Sequence, residues 1–239
     1  MAVLTRRELL KTGGAAAVVL GVGAFRRPAS AQPPPGAWNH DPASPIGPLH
    51  WGDIGFPACG AGMNQSPVDI RTGQLAAYHG SPLLLRYEPS ELGIENTGHV
   101  VEVPIPVGVS DTLQINGDRY QLEQYHFGKI LLAAPETAGQ EVTAGEASPA
   151  ELFRDIGEVS MTGKSPVRVR SFYADDGSLT TPGCTQGVIW SVLANGGHVS
   201  NAAVTRLHQL IAQFPFYHGY PNNNRPVQPL NGRVIKFRR

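Results

Sequence analysis

The sequence predicts a mainly β fold. Two observations carry this: 28 glycines and 21 prolines are scattered over 239 residues without a period, and the apolar residues fall in short runs bounded by turn residues. With 41% apolar residues the chain can bury a core, which excludes a disordered or collagenous protein. The 19 basic and 19 acidic residues cancel, so no basic surface fit for a phosphate backbone is implied and nucleic acid is not an expected partner.

The strands follow from local pattern. Val100-Val101-Glu102-Val103 and Leu113-Gln114-Ile115 are β-type runs closed off by Gly98, Pro104, Asp111 and Asn116-Gly117. Asn-Gly is the strongest hairpin signal in the chain, because both turn residues must take positive φ. From Tyr120 to Phe127 the sequence alternates as one strand, which puts Tyr120, Leu122 and His126 on one face.

Helices are predicted at two places. Ser148 to Phe153 opens with a cap-like Ser and a Pro in the first turn. Ser200 to Phe214 spaces Val204, Leu207 and Ile211 at helical intervals. Residues 32–48 lack periodicity and read as an arm laid over the surface. Residues 133–147 and 157–166 differ from their surroundings in holding few large apolar residues.

The first 31 residues read as an export address. Arg6-Arg7 precede an apolar run of 11 residues, Ala15 to Phe25, and then Ala29-Ser30-Ala31, a small-x-small cleavage pattern resembling a twin-arginine signal. The run is too short to cross a bilayer core of about 30 Å. The expectation is a removable signal over 1–31 and a domain over 32–239, periplasmic or extracellular, with no membrane partner after signal removal. Residues 1–31 hold five basic residues and one acid, so the remainder carries 14 basic against 18 acidic side chains, a net −4. Cys59 and Cys184 are the only cysteines. In an oxidising compartment they either pair or stay as buried thiols.

Three blocks then converge. Gly47-Pro48-Leu49-His50-Trp51 is followed by Gln65-Ser66-Pro67-Val68-Asp69-Ile70; Asn96-Thr97-Gly98-His99 comes next; the third block runs from Asp176-Gly177-Ser178-Leu179-Thr180-Thr181-Pro182-Gly183-Cys184 to Trp190, and continues in Asn223-Asn224-Arg225-Pro226-Val227-Gln228-Pro229-Leu230-Asn231-Gly232-Arg233. Together they resemble the α-class carbonic anhydrases of the bacterial, exported type. The resemblance implies a large, twisted, mostly antiparallel sheet with a few short helices. It also implies a zinc-dependent carbonate dehydratase, a lyase that reversibly hydrates carbon dioxide to bicarbonate. In that family three histidines hold zinc, and the metal lowers the pKa of its bound water to about 7.

Position by position, the resemblance makes His99 the proton-shuttle histidine and Thr180 the threonine that orients the attacking oxygen. His126 becomes the first zinc ligand and Gln124 the glutamine that holds its tautomer. Leu179, Thr181, Val188 and Trp190 become pocket walls, and Cys59 and Cys184 the disulfide of bacterial members.

The chain also departs from the family. Its metal strand reads Tyr125-His126-Phe127-Gly128, with glycine where alternation along a strand puts the second ligand. No histidine lies between His126 and Thr180, which are only 54 positions apart, and residues 129–170 are atypical of the family. Trp38-Asn39-His40 replaces a family W-x-Y. His40 and His99 are the two other histidines the resemblance places near the pocket, whereas His50, His79, His198, His208 and His218 read as surface or satisfied histidines. Three readings result: an enzyme with a rebuilt zinc site, a metal-free pseudoenzyme acting as a binding module, and a chain damaged over 129–170.

Overall fold

A computed structural model describes residues 37–106, 108–126, 132–147, 167–196 and 199–239. The described residues form twelve strands in three four-stranded sheets. In chain order these are β1 (Ala76–Ala77), β2 (Leu83–Arg86), β3 (Ser90–Asn96), β4 (Val101–Pro104), β5 (Thr112–Ile115) and β6 (Asp118–Gln121). They continue as β7 (Gln124–Tyr125), β8 (Gln140–Ala147), β9 (Val167–Val169), β10 (Phe172–Ser178), β11 (Gln186–Leu193) and β12 (Lys236–Arg238). The sheets run β1-β12-β10-β11, β6-β5-β2-β9 and β7-β4-β3-β8. Only the β1–β12 pairing is parallel; the pairs in the other two sheets, like β10 with β11, are antiparallel. This is the mainly β, mostly antiparallel architecture that the sequence predicts.

The helices among these residues are α1 (Pro57–Ala61) and α2 (Asn201–Ala212). Neither is long and apolar enough to cross a membrane. The α2 helix starts where expected because the Ser200 hydroxyl accepts from Ala203 N–H, and it buries Ala203, Leu210 and Ile211. The helix expected at Ser148–Phe153 and the signal over 1–31 lie outside the described residues.

Alternation builds two of the cores. Leu83 and Leu85 of β2 point into a cluster with Leu113, Ile115, Tyr120, Val167, Val169 and Phe172. Val101 and Val103 of β4 join Ile94, Leu122, Leu210, Ile211 and Tyr217 in a second. The Asn116-Gly117 hairpin forms as expected, with φ of 52° and 95° joining β5 to β6.

The single strand expected from Tyr120 to Phe127 is instead broken. β6 ends at Gln121 and β7 opens in a different sheet at Gln124. Leu122 N–H still bonds Asp111 C=O beside β5, while Glu123 C=O accepts from Ile105 N–H after β4, so the chain changes partner between these residues. Tyr120 and Leu122 therefore feed separate cores, and the face they share does not continue to exposed Gln124.

The segment expected as a surface arm is more deeply anchored over its described part. Trp38, Asn39 and His40 are buried, and Trp51 Nε1–H donates to the carbonyls of Asn39 and Ile46. The atypical zone 129–170 supplies β8 and β9.

Candidate functional site

The turn carrying Thr180 joins β10 to β11. Its base is set by Leu179 N–H to Thr185 C=O at 3.0 Å and Cys184 N–H to Thr181 C=O at 2.9 Å. Gly183 and Cys184 take positive φ, 100° and 41°. Cys184 is bonded to Cys59 of α1, so the thiol alternative is excluded and the turn is tied to the third core with Trp38, Trp51 and Phe56.

Buried Arg225 braces the same region, donating to Gln65 Oε1, Ser66 C=O and Cys59 C=O at 2.8–2.9 Å. Trp190 Nε1–H donates to Ser178 C=O, Val188 is buried, and Leu179 is 40% exposed. The Thr180 and Thr181 side chains are half-buried and exposed, respectively.

His99 stands at the end of the β3–β4 connection. Its ring stacks on Trp38, centroids 4.0 Å apart, and its buried Nδ1 has no hydrogen-bond partner. Burial lowers its pKa below the usual histidine value. Next to it, His40 Nδ1 meets the Tyr217 hydroxyl in a short hydrogen bond. Burial, and secondarily His99, push the His40 pKa down to about 3. Both imidazoles are thus neutral near pH 7.

His126 follows β7. Its Nδ1 faces Val101 C=O at 2.7 Å, and its Nε2 lies 3.3 Å from Gln124 Nε2. A carbonyl only accepts, so Nδ1 carries the proton. Burial lowers the His126 pKa, opposed by that backbone bond. Gln124 also acts on Glu102, where its side chain favours the carboxylate. Glu102 sits opposite Glu95 in the ladder, and burial first, then Glu95, raises its pKa. Sequence reasoning passed over Glu102, although it is the polar residue in the Val-Glu-Val run of β4.

The structure thus brings His99 to His40, and Gln124 to His126, while Leu179, Thr180 and Thr181 share one turn with Cys184. Gly128, the position of the expected second ligand, lies outside the described residues. Among the described residues no three His, Cys, Asp or Glu side chains converge as a metal-holding group. A zinc centre needs three or four such donors at about 2.0–2.3 Å, and the donor set described here does not fit one. His50 and His79 are exposed, as expected of surface histidines.

Three largely antiparallel sheets carry a disulfide-tied turn between β10 and β11 and a histidine beside β4. A model of the eukaryotic-type carbonic anhydrase family matches residues 46–153 and 154–239. A carbonic anhydrase of Neisseria gonorrhoeae is 31% identical over 231 residues, covering 79% of this chain and 83% of that protein. The solved α-carbonic anhydrase of Photobacterium profundum superposes with a TM-score of 0.65 at 27% identity, covering 84% of this chain and all of that one. Dioscorin DB3L of Dioscorea polystachya is 27% identical, covering 87% of this chain and 88% of that protein. The chain belongs to the α-type carbonic anhydrase family.

Proposed function

We propose that this chain is an exported family member in which the family reaction, reversible hydration of carbon dioxide to bicarbonate, is strongly impaired. One observation carries the reading. Glycine occupies position 128, two residues beyond His126, and no histidine lies between His126 and Thr180. A single imidazole does not retain zinc against water and competing chelators. The ring of His126 lies between Val101 C=O and the Gln124 amide, which supports the same conclusion. Export is supported by Arg6-Arg7 ahead of the apolar run and by a disulfide suited to an oxidising compartment.

The test is elemental analysis after dialysis against a weak chelator, with hydration measured with and without a sulfonamide. The expected result is far less than one zinc per chain and no sulfonamide-sensitive rate. About one zinc per chain with a sulfonamide-sensitive rate overturns the reading.

A metal-free binding module is the second reading. It is supported by the retention of Leu179, Val188, Trp190 and Thr180, the residues that the family resemblance makes pocket wall and turn, beside a depleted ligand set. On this reading the pocket serves to hold a small molecule and no turnover follows.

A further inference from the structure

We infer that Gln124 is a positioning residue that caps His126, its amide N–H occupying the bare ring nitrogen, and that Glu102 holds the amide in that orientation. The inference deepens the proposed function and rests on it for reading His126 as the one ligand position retained.

The protons in this chain of contacts are assigned from one end. Val101 C=O has no proton, so the ring nitrogen facing it at 2.7 Å is the N–H, and Nε2 is left as an acceptor. The group facing Nε2 at 3.3 Å is the Gln124 amide nitrogen, which carries two protons. One is directed to the ring, which leaves the other for the Glu102 carboxylate, the diagonal neighbour across the β4–β7 pair.

The reverse amide orientation would set the Gln124 carbonyl oxygen against both Glu102 and a bare Nε2. That would bring three acceptors together with no proton between them. Glu102 therefore selects which end of the amide meets the ring.

The backbone delivers these groups. β7 pairs with β4 so that Gln124 lies opposite Pro104. Glu102 is two residues earlier on β4 and on the same face as Pro104, which makes it the diagonal neighbour of Gln124. The other face, with Val101 and Val103, is in the core. A metal would have to take the Nε2 lone pair at about 2.0–2.1 Å, along a direction that the amide fills. His126 is thereby a structural imidazole hydrogen-bonded at both nitrogens.

The experiment is long-range proton–nitrogen NMR of the histidine rings in the ¹⁵N-labelled full chain, with His126 assigned by loss of its signals in His126→Gln. One equivalent of zinc chloride is then added. The expected wild-type spectrum shows Nδ1 protonated and Nε2 as a hydrogen-bonded acceptor, neither moved by zinc. In Gln124→Met, Nε2 shifts to the position of a free lone pair and responds to zinc, with an affinity about tenfold higher, the worth of one hydrogen bond.

A wild-type Nε2 signal that moves with one equivalent of zinc overturns the cap, and that arm needs no variant to fold. An Nε2 signal unchanged by Gln124→Met in a folded protein also overturns it. Zinc-dependent hydration alongside an unmoved His126 ring would instead sink the proposed function and leave the cap standing.

Discussion

The His99 imidazole lies flat on the Trp38 indole, centroids 4.0 Å apart and planes within 10° of parallel. Trp38 is also edge-on to His40 and Trp51, so one indole organises two histidines. The resemblance casts His99 as a proton relay, a role that depends on a pKa near ambient pH. The stack works against that role by burying the ring, which lowers the pKa.

Trp38→Ala should therefore raise the His99 pKa toward its ordinary value and destabilise the fold by about 3–5 kcal/mol, the usual cost of emptying a buried aromatic site. NMR titration of His99 and urea unfolding check the two halves separately. A His99 pKa unmoved by the variant would show that something other than the indole desolvates it.

Acid should destabilise the protein through His40. Its folded pKa of about 3 lies below the ordinary 6.5, so between these values the unfolded chain binds a proton that the folded chain refuses. Stability is then fully present above about pH 6.5 and falls as pH drops toward 3, with a slope of up to about 1.4 kcal/mol per pH unit. Glu102, Asp111 and Asp175 have raised values and contribute the opposite slope from their ordinary carboxylate values upward, inside the same window. Comparing wild type with His40→Gln isolates the histidine. His99 and His126, also lowered by burial, add slope of the same sign, so the variant should lose only the His40 share, up to about 1.4 kcal/mol per pH unit between about pH 4 and 6 in urea melts, and an identical slope in both proteins would remove His40 as a cause.

What the sequence made legible and what it hid have different physical origins. The Asn116-Gly117 turn and the Ser200 cap are local, each decided by the backbone geometry of a few residues, and both form as expected. The blocks from Asp176 to Trp190 and Asn223 to Arg233 carry the turn and the Arg225 brace, where Trp190, Arg225 and Arg233 each donate to backbone carbonyls distant in sequence. The break between β6 and β7 escaped the alternation pattern, since period-two burial continues through Leu122 while its hydrogen-bonding partner changes. The contact of His40 with Tyr217 bridges 177 residues, and nothing in either local sequence announces it. Glu102 was hidden because its importance lies in a diagonal neighbour on another strand.

Arg225 should resist conservative replacement. Its guanidinium donates to three separate acceptors at Cys59, Gln65 and Ser66 and lies over Trp51 at 5.7 Å. A lysine cannot reproduce that planar fork, and removing the donors strands buried carbonyls. Both Arg225→Lys and Arg225→Met should cost about 3–5 kcal/mol in denaturant unfolding. A loss of under about 1 kcal/mol in Arg225→Lys would mean that one ammonium with water can serve all three acceptors.

Gly128→His tests the ligand count from the side of gain. Restoring a histidine two residues beyond His126 re-creates the spacing by which alternate strand residues face one metal. A two-imidazole site still leaves zinc two ligands short of a closed tetrahedron, and the Gln124 amide still faces His126 Nε2. The variant should therefore bind zinc only transiently, lose it on dialysis, and show no sulfonamide-sensitive hydration of carbon dioxide. Combining it with Gln124→Met should strengthen zinc retention by about tenfold, as one competing hydrogen bond is removed, without restoring turnover. Appreciable sulfonamide-sensitive hydration by Gly128→His alone would mean that a third ligand is already supplied within the chain, and the family reaction would then have to be credited to this protein.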